Sequence, residues 1–302
     1  MILQKVGLWV LLGMVAPAGA AAEMPETLRW SRLPDLPMAL SGHSAGVSNG
    51  ALLVAGGSYF PVSPFEGGKK VWVVSVYVLE PGREQWQTLK LERPLAYGAG
   101  VTAGGGVIVA GGGDGSEHSR EAILLRFRDG RLERTSLPSL PMSIANAGAA
   151  VLGTTLYLAG GQESPSAKTA LGRFWALDLE RTAAGWRELE PLPGPARILP
   201  VAAAQDGGVY VFSGAELQPG AEGKVSRRYL TDAFRYLPGK GWSRLPDCPR
   251  PMVAAPAAAV GQSHIFVFGG DDGTNAGRIE ELKDRHPGFS RDIVSFGLVR
   301  DV

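Results

Sequence analysis

Five short apolar strands in this chain each end on a pair of small residues, and their spacing leaves few folds open. They are Leu52–Gly57, Val107–Gly112, Leu156–Gly161, Val209–Gly214 and Ile265–Gly270. The first residue of the closing pair falls at 56, 111, 160, 213 and 269, giving intervals of 55, 49, 53 and 56. A strand-built unit of roughly 50 residues cannot bury both of its faces, so several copies must pack side by side. Other parts recur in step. A strand rich in small residues precedes each glycine strand: Ser44–Val47, Gly98–Val101, Gly148–Val151, Val201–Ala204 and Ala257–Val260. An aromatic or apolar strand follows in three units, Val76–Leu79, Phe174–Leu177 and Ala233–Tyr236, each then closed by a tryptophan, Trp86, Trp186 or Trp242. The second unit lacks that tryptophan.

Radial stacking satisfies this pattern best, because small side chains fit where inner strands crowd an axis. The expected fold is all-β: a kelch-type β-propeller with five four-stranded blades visible. The large rings are expected to pack between blades rather than serve as ligand platforms. The two ends of the chain also match, since Trp30–Asp35 (WSRLPD) recurs as Trp242–Asp247. An N-terminal strand at Trp30 would then complete a blade and cover an exposed edge. The fifth unit closes with a third strand, Asp292–Phe296, and no tryptophan. Either Trp30 closes five blades, or the chain is a six-bladed form without its last blade.

Residues 1–22 read as a signal peptide, with Lys5 before an apolar run from Val6 to Val15 and small residues at Ala18–Ala22. Residues 23–302 form the propeller, and the expected location is the periplasm or outside the cell. Once the leader is cleaved, no run is long enough to span a membrane. The formal net charge is +1, so no bulk field attracts nucleic acid. With Cys248 the only cysteine, packing rather than disulfides must hold the fold.

Consecutive antiparallel strands send the connections after strands two and four to one face. The turns on the other face are short, as at Ser48-Asn49-Gly50 and Gln205–Gly208. The connections after strand two are long: Ser58 to Val71, Asp114 to Glu121, Gln162 to Gly172, Ala215 to Leu230 and Asp271 to Arg291. Long loops gathered on one rigid face are the usual seat of binding. The blade-to-blade connections add His43, Tyr97, Asn146 and Arg197 near the axis. Asp271-Asp272-Gly273 is a turn signal before it is a calcium site, and the four histidines have no metal spacing.

Arg93–Gly98 (RPLAYG), His286–Asp292 (HPGFSRD), the Leu-Pro-x-Leu-Pro segments and the Gly-Gly strands together resemble the cyclically permuted mutarotases, kelch propellers similar to bacterial N-acetylneuraminate mutarotase. The resemblance runs from about Glu26 to Phe296. It implies interconversion of the anomers of a sialic acid, a small-molecule sugar ligand, and no metal or nucleotide cofactor. It also implies a catalytic loop of the form Gly-Glu-x-x-Pro-Gly-x-Arg, which is not intact here; the permuted order places it in a sixth blade, beyond Val302. The nearest match, Gly214–Gly220, has an extra alanine and lacks the arginine.

Opening a sugar ring takes a base, an acid, and for a sialic acid a cation that holds the carboxylate. The candidates on the loop face are Glu216, Arg197 and His286 for the chemistry, and Tyr97, Arg291, Lys70, Asn146 and His43 for sugar contact, with Glu66 beside them. Each has a structural alternative: Arg197 as a blade-bridging ion pair, His286 as a loop anchor, Tyr97 as packing, Glu216 as an ordinary exposed carboxylate. A noncatalytic carbohydrate- or protein-binding propeller remains the competing reading, and a copper oxidase is disfavoured by its ligand supply.

Overall fold

The computed structural model describes residues 31–63, 66–221, 224–261 and 263–277. The first blade comprises β1 (Ser44–Ser48), β2 (Ala51–Ala55), a short loop ladder of β3 (Ser58–Tyr59) and β4 (Val71–Trp72), then β5 (Ser75–Leu79) and β6 (Gln87–Lys90). The second has β7 (Ala99–Ala103), β8 (Gly106–Ala110), β9 (Ala122–Arg128) and β10 (Arg131–Leu137). The third has β11 (Gly148–Leu152), β12 (Thr155–Ala159), β13 (Phe174–Asp178) and β14 (Arg187–Glu188). The fourth has β15 (Val201–Gln205), β16 (Gly208–Phe212), a protruding hairpin of β17 (Ala215–Pro219) and β18 (Val225–Tyr229), then β19 (Ala233–Leu237) and β20 (Gly241–Leu245). The fifth shows β21 (Ala257–Val260) and β22 (His264–Val267).

Four blades are therefore four-stranded antiparallel sheets in chain order, and the fifth shows two strands among the described residues. The third strand expected at Asp292–Phe296 lies outside them, as does Trp30. Ser31–Leu36 form no strand. This segment instead meets the first blade through the Trp86 indole, which donates to the Pro34 carbonyl at 3.0 Å. The same bond recurs from Trp186 to Pro138 (2.8 Å) and from Trp242 to Glu190 (3.1 Å), at the matching position of each lead-in segment. The repeated tryptophan thus bolts its blade's outer strand to the segment that leads into that blade. The second blade, which lacks the tryptophan, instead has the longest hairpin, β9–β10, closed by Asp129-Gly130 with both residues at positive φ as a two-residue turn requires.

Small residues line the hub because the inner strands of neighbouring blades nearly touch. A Cβ on Gly46 would lie 2.5 Å from Thr102 Oγ1, and one on Gly100 would lie 2.9 Å from Ser44 Cβ. Further out, side chains alternate between the two neighbouring blades, as strand geometry dictates. Phe174 faces the fourth blade, in contact with Tyr236 (5.0 Å between centroids) and Trp242 (4.8 Å), while its neighbour Trp175 packs with Leu140 and Ile144 toward the second. The expectation of rings between blades is met.

The inner strands adjoin in the order β1, β7, β11, β15, β21. Among the described residues β21 makes no comparable approach to β1, and its blade is only partly covered: Ile265, Phe266 and Val267 are half-buried where the second strands of other blades are buried.

Gly56 shows how tightly the blades are coupled: its φ is +64°, and a Cβ there would sit 1.9 Å from the Leu95 carbonyl oxygen of the next lead-in segment. We expect Gly56→Ala to cost about 3 kcal/mol or more in urea denaturation. Gly82→Ala, at φ +73° but with open space around it, should cost about 1–2 kcal/mol.

Candidate functional site

The lead-in to each inner strand ends on a left-handed residue: Gly42, Tyr97, Asn146, Leu199 and Ala254, with φ of 64°, 61°, 59°, 52° and 59°. Only glycine adopts this conformation freely, and a bulky residue there is strained. The conformation turns each N–H toward the preceding blade. Tyr97 N–H donates to the Gly42 carbonyl (2.7 Å), Asn146 to Tyr97 (2.9 Å), Leu199 to Asn146 (2.7 Å) and Ala254 to Leu199 (3.0 Å). The residue before each left-handed position bridges to the end of its own blade's second strand, as Ala96 does with Gly113 and Ala145 with Gln162. A collar of backbone hydrogen bonds therefore runs from blade to blade around the mouth of the axial channel, on the face with the long connections.

The channel has a volume of about 930 Å³. Its wall is mostly alanine and glycine, with Ser44 and Thr102 on the inner strands, and His43, Tyr97 and Asn146 stand at its mouth. The structure thus brings together three of the residues picked from the sequence as sugar contacts. A fourth joins them. Lys70, from the connection between β3 and β4, donates to the Tyr97 phenol oxygen at 2.7 Å. Ser58 Oγ lies 3.0 Å from the same oxygen, and Ser41 Oγ lies 3.3 Å from Ser58 Oγ. The Tyr97 ring packs against Gly42, where a Cβ would approach it to 2.5 Å. The Lys70 ammonium also stands over the Phe60 ring, 5.3 Å from its centroid, and Phe60 is exposed.

Two titrating groups at the mouth are shifted. Burial alone would raise the Tyr97 phenol, but the hydrogen bonds from Lys70 and Ser58 and the Lys70 charge outweigh it and hold the pKa below the usual tyrosine value. Water reaches the His43 ring, yet the surrounding wall removes enough of it to lower its pKa, offset in part by a hydrogen bond with the Leu40 backbone. Nearby, His118 Nδ1 lies 3.1 Å from the Gln162 carbonyl oxygen; burial lowers its pKa, and that bond partly offsets the effect.

Two other candidates are placed away from the channel. Arg197 does not face the channel. It is fully buried and makes a bidentate pair with Asp232, both contacts 2.7 Å, with further donations to the carbonyls of Ser213 and Pro195. It lies two residues before the collar position, where the other lead-ins place Leu95 and Ile144 in the core. Glu216 stands on the β17–β18 hairpin, paired with Arg228 at 2.6 Å, and does not line the channel. Glu66 is exposed. His286 and Arg291 lie outside the described residues. Ser58, Ser41 and Phe60 were missed; the only sequence signal for Ser58 is its place directly after Gly56-Gly57.

Asp271 and Asp272 act as turn residues. Asp271 Oδ1 accepts from Gly273 N–H (2.9 Å), its Oδ2 accepts from the Tyr229 hydroxyl (3.0 Å), and Asp272 Oδ1 accepts from Thr274 N–H (2.9 Å). Among the described residues no group of three or more His, Cys, Asp or Glu side chains is arranged to hold a metal ion.

Comparison with known proteins bears on both halves of this description. The sequence profile of the N-acetylneuraminate epimerase family matches residues 137–284. The N-acetylneuraminate epimerase of Haemophilus influenzae strain PittEE is 34% identical over 158 residues, which is 49% of this chain and 39% of that protein. That of Brucella suis is 34% identical over 137 residues, 44% of this chain and 32% of that protein. The matched region thus spans a third to two fifths of these relatives' length. The solved structure of YjhT superposes with a TM-score of 0.68 over 83% of each chain at 14% identity, a likeness of fold. The chain resembles the N-acetylneuraminate epimerases in sequence over its second half, and it has the fold of a propeller throughout the described residues.

Two outcomes follow for these buried polar contacts. Arg197→Met leaves Asp232 buried without its partner and should cost about 3–5 kcal/mol in thermal or urea denaturation, much of it recovered when Asp232→Leu is added. Burial, with the Asp271 carboxylate, pushes the Tyr229 phenol up to about 12. Between pH 10 and about 12 the unfolded chain therefore releases this proton before the folded chain does, and stability falls as pH rises. Tyr229→Phe should flatten that stretch of the stability–pH curve, measured as the difference from the parent protein.

Proposed function

We propose that this protein binds a cyclic acidic sugar of the N-acetylneuraminate class at the mouth of its axial channel and interconverts the sugar's anomers. The observation that carries this reading is the coincidence of two independent facts. The matched family is the N-acetylneuraminate epimerase family, and the polar side chains of His43, Tyr97 and Asn146 line the mouth of the described channel, on the face with the long loops. The mouth supplies what such a ligand needs: an ammonium facing its oxygens, hydroxyl and amide groups for hydrogen bonds, and the exposed Phe60 ring for the apolar side of a sugar. We also infer that the protein works after export, on the strength of Lys5 and the apolar run that follows it.

One observation favours a second reading, a binding propeller without catalysis. The segment nearest to the family's Gly-Glu-x-x-Pro-Gly-x-Arg loop is Gly214–Gly220, and its glutamate is tied to Arg228 and Gln218 rather than presented to the channel. Fold alone does not separate the two readings, since one scaffold hosts many activities.

The decisive measurement is the relaxation of freshly dissolved N-acetylneuraminate toward anomeric equilibrium, followed by magnetic resonance with and without the purified full chain. Faster relaxation at catalytic protein concentrations is expected. Saturable binding at the spontaneous rate would establish the noncatalytic reading instead. For export, cell fractionation should place the mature protein in the periplasm or the medium, shortened by the leader.

A further inference from the structure

We propose that Tyr97 and Lys70 are the proton-transfer pair of this site, the phenol oxygen acting on the anomeric hydroxyl of the sugar and the ammonium on its ring oxygen. The inference rests on the sugar-isomerising reading above and deepens it. Of the three residues first considered for this chemistry, Arg197 is sealed in an ion pair, Glu216 is held by Arg228 on a hairpin, and His286 lies outside the described residues.

Three features of the pair go beyond a packing role. First, the collar position carries leucine or alanine in the fourth and fifth blades, yet here it carries a tyrosine whose ring fills the space that a Cβ on Gly42 would take. Second, the phenol oxygen makes two hydrogen bonds, from Lys70 at 2.7 Å and with Ser58 at 3.0 Å, so its negative form is stabilised. Its lowered pKa agrees. Third, among the described residues no carboxylate pairs with Lys70; its neighbours are Tyr97 and the Phe60 ring, and further N–H donors remain for a ligand. Among the described residues His43 also titrates at the mouth, and His118, Lys69 and Glu66 stand on the neighbouring connections.

The step balances without any further reactant. Tyrosinate at Tyr97 takes the proton of the anomeric hydroxyl. A carbonyl forms at that carbon as its bond to the ring oxygen breaks; the electron pair stays on the ring oxygen, and the Lys70 ammonium protonates it. Tyr97 is then a neutral phenol and Lys70 a neutral amine, and the reverse transfers of ring closure return the pair to its starting state. Rotation about the bond beside the carbonyl, followed by the same transfers in reverse, closes the ring on the other face.

The test uses Tyr97→Phe, which keeps the ring on Gly42, and Lys70→Met, which keeps the stem, both in the full chain, with circular dichroism and thermal melting to establish that each folds. N-acetylneuraminate is the probe. Each variant should lose about a hundredfold or more of the catalysed anomerisation rate, and the double variant should lose no more than the worse single one, as residues acting as a unit do. A readout independent of turnover accompanies this. The near-ultraviolet titration of the parent protein should contain one tyrosine ionising below the ordinary value of 10.0, absent in Tyr97→Phe and moved upward in Lys70→Met. A folded Tyr97→Phe protein as fast as an active parent overturns the assignment alone, and so does a parent without the early-ionising tyrosine. A parent that leaves the sugar at its spontaneous rate overturns the isomerase reading and this assignment with it.

Discussion

The backbone hydrogen bonds of the collar are the constraint from which the rest of the molecule follows. Each needs a left-handed residue at the end of a lead-in segment, and each fixes one inner strand against the next. With the N–H of Tyr97 on Gly42, of Asn146 on Tyr97, of Leu199 on Asn146 and of Ala254 on Leu199, neighbouring blades hold one angular relation at the hub. Small residues must then line the inner strands, because the strands approach too closely for anything larger. Side chains on the middle strands must alternate between two neighbouring sheets, which is why Phe174 and Trp175 face opposite blades.

The collar also explains where chemistry is available. A channel walled by alanine and glycine offers little to a polar ligand except at its rim, where the side chains of the left-handed residues and those beside them emerge. The repeat fills this rim unevenly: glycine, tyrosine, asparagine, leucine and alanine at the collar itself, and histidine next to the first. The polar groups therefore collect at the junction of the first three blades, with the connection between β3 and β4 bringing Lys70 over them. The junction of the fourth and fifth blades is built differently. There Ser213 replaces the usual glycine, its hydroxyl accepts the Met252 N–H at 2.7 Å, and its carbonyl accepts from the buried Arg197.

That junction also shows why part of the site was legible in the sequence and part was not. Tyr97, Asn146 and His43 could be picked because they lie in register just before the small-residue strands, so the repeat itself pointed to the axis. Arg197 looked equivalent, but two residues of register separate a collar side chain from a core one, and position 197 aligns with Leu95 and Ile144. A charged residue at a core position draws its partner from the same blade, and Asp232 sits 35 residues away in sequence. Glu216 was read from a motif fragment, while its fate depended on Arg228 across a hairpin that periodicity does not reveal. The Tyr97–Lys70 contact spans 27 residues through an irregular loop, beyond the reach of any local pattern.

By itself the sequence determined the blade. A period near 50 residues, glycines at strand ends, small residues on one strand and rings on another prescribe a four-stranded sheet with a crowded inner edge, because strand alternation and steric exclusion act over a few residues. Only the tertiary structure decided which side chains meet at the rim, which charges cancel in the interior and how a tryptophan is used to lock its blade. Those outcomes depend on distances between residues far apart in the chain, set by the angle at which one sheet packs on the next, and that angle is fixed by the backbone hydrogen bonds between blades.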